Sequence, residues 1–299
     1  MKGPRILAMR ANPPEALFGE DVHFEALVVD ATGEDLTSQP GVTVRWTVCL
    51  SLGQILEAAG LGGNSGFTDG CSPEETLVLE EDGAPNRAVL PGEVLMAVIA
   101  MIPMTPPDEP IPDPGIPGVD PGILSSLATV IAEVGVPLAA RVDVSRDGEV
   151  LLSGYKRFAI TTRSGATLNP PPPRFSIGDL ELSARGGGDP HACVSADGSI
   201  ASAAVGEEVT LAPYALEEPW LEDYPVFDLG GEIIINSETA YYSWFSTGGA
   251  FSTEISQRPL RDSSWVAPDV AGTYPIFLVV RDGHLGLSWC RADVEVRAN

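Results

Sequence analysis

The chain holds three histidines, His23, His191 and His284, and four cysteines, Cys49, Cys71, Cys193 and Cys290. Zinc chemistry needs such residues closely spaced, but no Cys-x-x-Cys occurs and the histidines lie far from the cysteines in sequence. Nucleophilic catalysis needs a serine or cysteine beside a base. His23 sits in an alternating pattern and is expected to face solvent, His191 follows a glycine-rich turn, and His284 falls at a hairpin tip. The motifs G-x-S-x-G and H-E-x-x-H are missing, as is a phosphate-binding loop. "ARGGGDP" (Ala184 to Pro190) lacks the Lys-Ser/Thr end and the following helix that phosphate binding requires, and reads as a flexible turn. The sequence therefore predicts no catalytic residues and no enzyme.

Carboxylates are the abundant group: 42 Asp and Glu against 17 Lys and Arg, a formal net charge of −25. Glycoside hydrolysis would need two carboxyls converging across a cleft, and nothing in the pattern selects a pair. Calcium uses such oxygens more readily. The candidates are Glu80, Glu81 and Asp82, and a second group of Glu217, Glu218, Glu222 and Asp223. No D-x-D-x-D-G loop supports either group, so solvated charge is the stronger reading and Ca2+ the one cofactor in view. The charge is evenly spread, with 10 basic against 23 acidic residues before Thr167 and 7 against 19 from there on. A field of that sign repels nucleic acid and anionic lipid, which leaves a protein or a glycan as the expected partner. Lysine is rare and occurs only at Lys2 and Lys156.

One segment combines acids with aromatic rings: "ALEEPWLEDYPVFDLGG", Ala215 to Gly231. Trp220, Tyr224 and Phe227 follow neither strand nor helix spacing there. Aromatics on a loop supply contact area cheaply, so these three are binding candidates for a cationic partner or a sugar. The competing reading tucks Trp220 and Phe227 over the end of the fold as a satellite core.

The elements that would position these residues are strands. With 32 Gly and 27 Pro, 44% hydrophobic and 20% charged residues, the composition suits many turns between short strands around a packed core. Four consecutive prolines in "TLNPPPPRFS" favour a stiff polyproline spacer, placing a boundary between residues 4–166 and 176–298 with a linker over 167–175. The two sides rhyme. Gly19 to Leu27 and Gly206 to Tyr214 are each an acidic turn feeding an alternating strand. Each is followed by a strand centred on a tryptophan, Trp46 or Trp244, and each half closes with an Arg-Asp-Gly turn, at Arg146 to Gly148 and Arg281 to Gly283. The first half adds a proline-studded excursion over about 103–136, in which Leu124, Leu127, Ala128 and Ile131 fit one short helix across an open end of the fold. The pattern predicts an all-β chain of two tandem sandwiches, the first with a helix-containing insertion.

"DVAGTYPIF" (Asp269 to Phe277) resembles the tyrosine-corner signature of immunoglobulin-like domains. The resemblance implies that the Tyr274 hydroxyl bonds back to upstream backbone, that Gly272 permits the turn, and that Trp244 is the core tryptophan of strand C. Ile276 stands where antibody domains carry a cysteine, so the nearer likeness is to bacterial Ig-like and PKD-like modules. "PRILAMRANPPEALFGEDVHFEALVVD" with the later "NPPPP" is similar to paired Ig-like domains of deltaproteobacterial, myxobacteria-type envelope lipoproteins. That resemblance implies export and a β-sandwich, and no catalytic residues.

Two cysteines fall in each half. Of three pairings this favours Cys49–Cys71 and Cys193–Cys290, with buried free thiols as the competing reading. Disulfides imply an extracytoplasmic compartment. "MKGPRILAMR" is no export signal, and the longest apolar run, "VLMAVIAMIPM", is too short to span a bilayer. The expected function is a non-catalytic envelope or cell-surface protein that displays loops to a protein or glycan. The alternative is a structural subunit that assembles, as a homo-oligomer or within a larger complex or filament, through sheet edges or domain ends.

Overall fold

A computed structural model describes residues 1–49, 76–99, 133–163, 167–184, 191–216, 220–227 and 232–298. Its strands form two β-sandwiches. In the first, one sheet runs Arg5–Asn12, Val22–Val29, Arg87–Leu90, Glu80–Glu81. The facing sheet runs Glu15–Leu17, Glu149–Thr161, Val136–Arg146, Val42–Cys49, Thr76–Val78. In the second sandwich, Cys193–Val194, Leu180–Ala184, Arg174–Ile177, Glu208–Pro213, Ser263–Val266 and Ala250–Phe251 face Ala201–Ala204, Leu287–Arg297, Gly272–Arg281, Tyr241–Ser246 and Ile255–Gln257. Both reproduce the immunoglobulin arrangement, in which strands A, B, E and D face G, F and C. In both, a short strand also joins strand G in parallel: Glu15–Leu17 beside Ala159–Thr161, and Ala201–Ala204 beside Val294–Arg297.

Alternation explains the cores. Odd and even residues of a strand point to opposite faces, so Val22, Phe24, Ala26 and Val28 line one side of their strand and are buried. One buried cluster draws on residues between Met9 and Ile160, and a second on residues between Phe175 and Val296. Trp46 packs against Phe24 at 5.5 Å in the first, and Trp244 meets the edge of Phe175 at 5.5 Å in the second. Such aromatic pairs contribute about 0.5–1.5 kcal/mol beyond their buried area.

The turn chemistry follows the same logic. Gly19 and Gly206 both take positive φ before their strands. Asp147 (φ 52°) and Gly148 (φ 88°) form a two-residue hairpin turn of the kind Asp-Gly favours. The second Arg-Asp-Gly differs from the expected tight turn. Its strands stop pairing at Arg281 and Leu287, so a five-residue loop runs over 282–286, with Asp282 fully buried at its root. Tyr274 donates from Oη to the Val270 carbonyl at 3.0 Å, completing the corner. Gly272, however, opens its strand without left-handed backbone, and a Cβ there would meet the Tyr274 ring at an ordinary 3.6 Å. The corner does not depend on a glycine.

Cys193 and Cys290 are joined across 97 residues of sequence, linking the edge strand of one sheet to strand G of the other. The sheets are thus stapled away from the position where Ile276 replaces cysteine. Cys49 is also disulfide-bonded, while Cys71 lies outside the described residues.

The insertion over 103–136 falls almost wholly outside the described residues. The described helix, Gly92–Ile99, comes before it and directly follows strand Arg87–Leu90. Its first N–H donates to the Asp21 carboxylate at 2.8 Å, and Leu95 inserts into the first core. A Cβ at Gly92 would stand 2.2 Å from the Gly19 carbonyl oxygen, so the close approach of these two backbones requires glycine. Among the described residues no helix is long and apolar enough to cross a membrane.

The proline segment is not the free spacer its composition suggests. Proline cannot donate a backbone hydrogen bond but its carbonyl still accepts, and the Pro171 carbonyl takes one from the Ser288 hydroxyl at 2.7 Å. Asn169 donates to the Ala11 carbonyl at 2.7 Å and accepts from the Leu287 N–H at 3.0 Å, tying both sandwiches to the connection. The sandwiches themselves meet through their outer faces. Ala8 packs with Val279, Leu287 and Trp289, and Leu7 and Val29 pack with Phe277. The Arg10 guanidinium lies over the Trp289 ring at 5.1 Å, and His191 stacks on that ring at 4.4 Å. Beside them the buried Glu25 accepts from Arg10 at 2.6 Å, Arg87 at 2.8 Å and bonds His191 at 3.0 Å. Burial alone would raise its pKa, but His191, Arg10 and Arg87 outweigh it and hold the carboxylate at about 2.

This contact makes the two sandwiches one mechanical unit. The intact protein is expected to unfold in a single calorimetric transition. Trp289→Ala is expected to remove about 3–5 kcal/mol and to split the transition in two. Two transitions already present in the unaltered chain would contradict the coupling.

Candidate functional site

The acidic-aromatic segment folds as a hairpin set apart from the sandwiches. Asp223–Phe227 pairs antiparallel with Ile233–Ser237, in register from Asp223 opposite Ser237 to Phe227 opposite Ile233. The expected loop is therefore a strand pair, a pattern that Pro225 and the acids hide in the sequence. Along the second strand Ile233, Ile234 and Ile235 are exposed by 41%, 42% and 64%. Successive strand residues point to opposite faces, so neither face of this strand is covered. Among the described residues no other strand pairs with its outer edge.

Of the three aromatic candidates, Trp220 and Tyr224 have described side chains, each with its own surroundings. Trp220 is 38% exposed and lines a groove of about 230 Å³ with Pro171–Pro173, Tyr214 and Tyr242. Tyr224 stacks on the His284 ring at 3.7 Å, so its face is already occupied from within the chain. Phe227 ends the first strand, and its side chain lies outside the described residues. Of the acidic candidates, Glu217 and Glu218 are also outside them. Glu222 accepts from the Leu168 N–H at 3.3 Å, and Asp223 accepts from the Ser237 hydroxyl at 2.5 Å. Glu80 and Glu81 form an exposed edge strand, and Asp82 bonds His23 at 2.7 Å. Among the described residues no group of three His, Cys, Asp or Glu is placed to hold a metal ion.

The hairpin's base rests on buried charge that the sequence does not advertise. Glu238, just past the second strand, accepts from the Glu222 N–H at 3.0 Å and returns its own N–H to the Glu222 carbonyl at 3.0 Å. Its other carboxyl oxygen is buried without a hydrogen bond. Burial pushes Glu238 up to about 8, with Asp282, Glu222 and Glu15 adding repulsion. Burial likewise raises Asp282 to about 6 despite the nearby Lys156. His284 is held neutral, its pKa lowered by burial to about 4. Glu15 is compensated instead: Arg163 binds both its oxygens at 2.8 Å, and Thr167 donates from N–H and hydroxyl at 2.9 Å.

His23 bonds Asp82, His191 bonds Glu25 and stacks on Trp289, and His284 stacks on the Tyr224 ring. Sequence reasoning missed Glu15, Glu238 and Asp282 because an acid in a strongly acidic chain carries no mark of burial. Lys156 alone had a signal, its rarity.

No family model matches the chain, and no curated protein does. Solved structures similar to it include Sidekick-1 immunoglobulin domains 1–4, with 7% identity and a TM-score of 0.22, over 99% of this chain and 49% of that one. The fibronectin(III)-like modules of Clostridium thermocellum CbhA show 10% identity and a TM-score of 0.24, covering 98% and 94%. The N-terminal Ig1-2 module of the Drosophila receptor protein tyrosine phosphatase DLAR shows 11% and 0.23, covering 99% of each chain. The chain spans about half the length of the Sidekick-1 structure. Scores this low leave the chain's own strand order as the basis for its fold class.

The raised pKa of Glu238 has a stability consequence with a definite sign. The native state keeps a proton that the unfolded chain releases near the ordinary value of 4.5, so stability falls as pH rises from there to about 8. Glu238→Gln keeps an oxygen for the Glu222 N–H and removes the titration. In urea unfolding at pH 5 and pH 8.5 it is expected to lose less stability across that interval than the unaltered protein. Equal losses would contradict a buried, protonated Glu238.

Proposed function

We propose that this is a non-catalytic, exported envelope or cell-surface protein that uses two fused Ig-like sandwiches to hold a binding hairpin, Asp223–Ser237, in a fixed place. The observation that supports this most directly is the run of three exposed isoleucines on a strand with an open outer edge. Open edges invite pairing, and proteins ordinarily blunt them with lysine, proline or a covering segment. None of those interrupts Ile233–Ser237. The partner that fits is an extended protein segment that adds a strand, with apolar side chains against the isoleucines. Basic flanks on that segment would meet Glu222 and Asp223 and suit a chain of net charge −25. The Cys193–Cys290 bond and the resemblance to envelope lipoproteins support an oxidising, extracytoplasmic location. The Trp220 groove is the place for a glycan.

The same open edge favours a second reading, a structural subunit in which the partner strand comes from another copy of the chain. Light scattering after size exclusion separates the two, together with binding of a labelled Lys-Val-Lys-Val-Lys peptide. The binding reading expects a monomer at high concentration and peptide affinity that drops about tenfold in Ile235→Lys. A concentration-dependent oligomer dissolved by the same substitution, with no peptide binding, would transfer the function to assembly. Location is checked by alkylating thiols in intact cells: Cys193 and Cys290 are expected to be protected, and free thiols there would rule out export.

A further inference from the structure

A second site lies between the sandwiches, next to the base of the hairpin. It is an open cleft of about 580 Å³, walled by strands Arg5–Asn12 and Glu149–Thr161 of the first sandwich and by the 282–286 loop of the second. That size falls within the range of small-molecule sites, about 300–1,000 Å³. Its charged lining is basic although the protein as a whole is strongly acidic: Lys156, Arg157 and Arg281 line it beside the neutral His284, and among the described residues no carboxylate does.

Two of these cations are in direct contact with no carboxylate among the described residues. Lys156 is only 7% exposed, and its ammonium donates to a neutral group, the Leu285 carbonyl of the other sandwich. Arg281 donates to the Ser243 hydroxyl at 2.8 Å and the Leu7 carbonyl at 3.4 Å, again neutral partners. Neither forms an ion pair among the described residues. They repel each other, and the fully buried Asp282 attracts Lys156 without forming an ion pair with it, so two cations share the seam with one such carboxylate. Leaving a buried cation unpaired is expensive, so a site built this way gains by receiving an anion. The distant acids do not prevent this, because exposed charges are screened over about 8 Å at physiological ionic strength. Tyr241, 37% exposed and paired in register with Arg281, adds one partly open aromatic ring to the same lining, whereas Tyr155 points to the other face of its strand from Lys156 and carries the Arg141 guanidinium over its ring at 5.8 Å.

We propose that this cleft binds a carboxylate-bearing saccharide, with Lys156 and Arg281 receiving the carboxylate and Tyr241 packing against the sugar ring. The carboxylate completes the charge balance of the seam, and the aromatic face favours the C–H face of a rigid sugar ring over a flexible peptide. The site shares His284 with the base of the hairpin but none of its exposed isoleucines, and it does not rest on the function assigned to that strand's open edge.

Calorimetric titration of the intact protein at physiological ionic strength tests this with three probes: digalacturonate, neutral galactobiose and a hexaglutamate peptide. Digalacturonate is expected to bind, galactobiose not to, and Lys156→Met and Tyr241→Ala each to weaken binding about tenfold or more. Equal binding of galactobiose would overturn the role of the carboxylate. Tighter binding of hexaglutamate would make the cleft a peptide site, and no binding by any probe would remove the proposal altogether. A pH series on the unaltered protein covers the case in which Lys156→Met fails to fold. Burial lowers the Lys156 pKa to about 8, so affinity should fall about tenfold per pH unit above that value. Of its charged neighbours, His284 and Asp282 titrate below this window. Glu238 ionises within it, so the series is repeated in Glu238→Gln. A profile flat to pH 9.5 in both proteins would overturn the proposal.

Discussion

Two sheets whose outer faces are apolar must be covered, and in this protein each covers the other. Strand Arg5–Asn12 turns Leu7 and Ala8 away from its own core, and strands Gly272–Arg281 and Leu287–Arg297 do the same with Phe277, Val279, Leu287 and Trp289. A free-standing sandwich would expose these side chains to water, at about 25 cal/mol for each Å² of apolar area. Their mutual burial sets the angle between the domains, closes the proline segment onto both, and creates the cleft along one margin of the contact.

Burying that seam also traps charge, and the structure treats each buried charge differently. Glu25 and Glu15 are surrounded by arginine, histidine or hydroxyl donors, and Glu25 is held ionised by them. Glu238 has too few donors and takes a proton instead. Lys156 and Arg281 find only neutral acceptors. These outcomes follow from one rule, that low-polarity surroundings oblige a charge to be paired, neutralised or left waiting for a partner.

The immunoglobulin plan is kept while its usual disulfide is moved. Ile276 fills the core where a cysteine would stand, and the bond between Cys193 and Cys290 fastens a leading edge strand to strand G. That edge strand also carries His191 towards Glu25 and Trp289, so the staple supports the seam as well as the sandwich. The hairpin Asp223–Ser237 stands outside both cores, held at its base by Glu222, Glu238 and the Tyr224–His284 stack.

Much of this architecture was legible before any coordinates. Strand period placed Trp46 and Trp244 inward, the Asp-Gly pair at Asp147 and Gly148 marked a real hairpin, and Tyr274 formed its corner, because each depends on residues near one another in sequence. The same local reasoning treated "NPPPP" as a rod and the Ala215–Gly231 segment as a loop, since composition reports what a segment favours alone and not what it docks against. What the sequence determined by itself was the all-β sandwich pattern, fixed by alternation and turn residues. Only the tertiary structure decided that the sandwiches fuse, that Glu238 and Asp282 are buried while dozens of similar acids are solvated, and that Lys156 meets Arg281. Those facts depend on which surfaces exclude water together, and residues 125 positions apart carry no sign of it in their order along the chain.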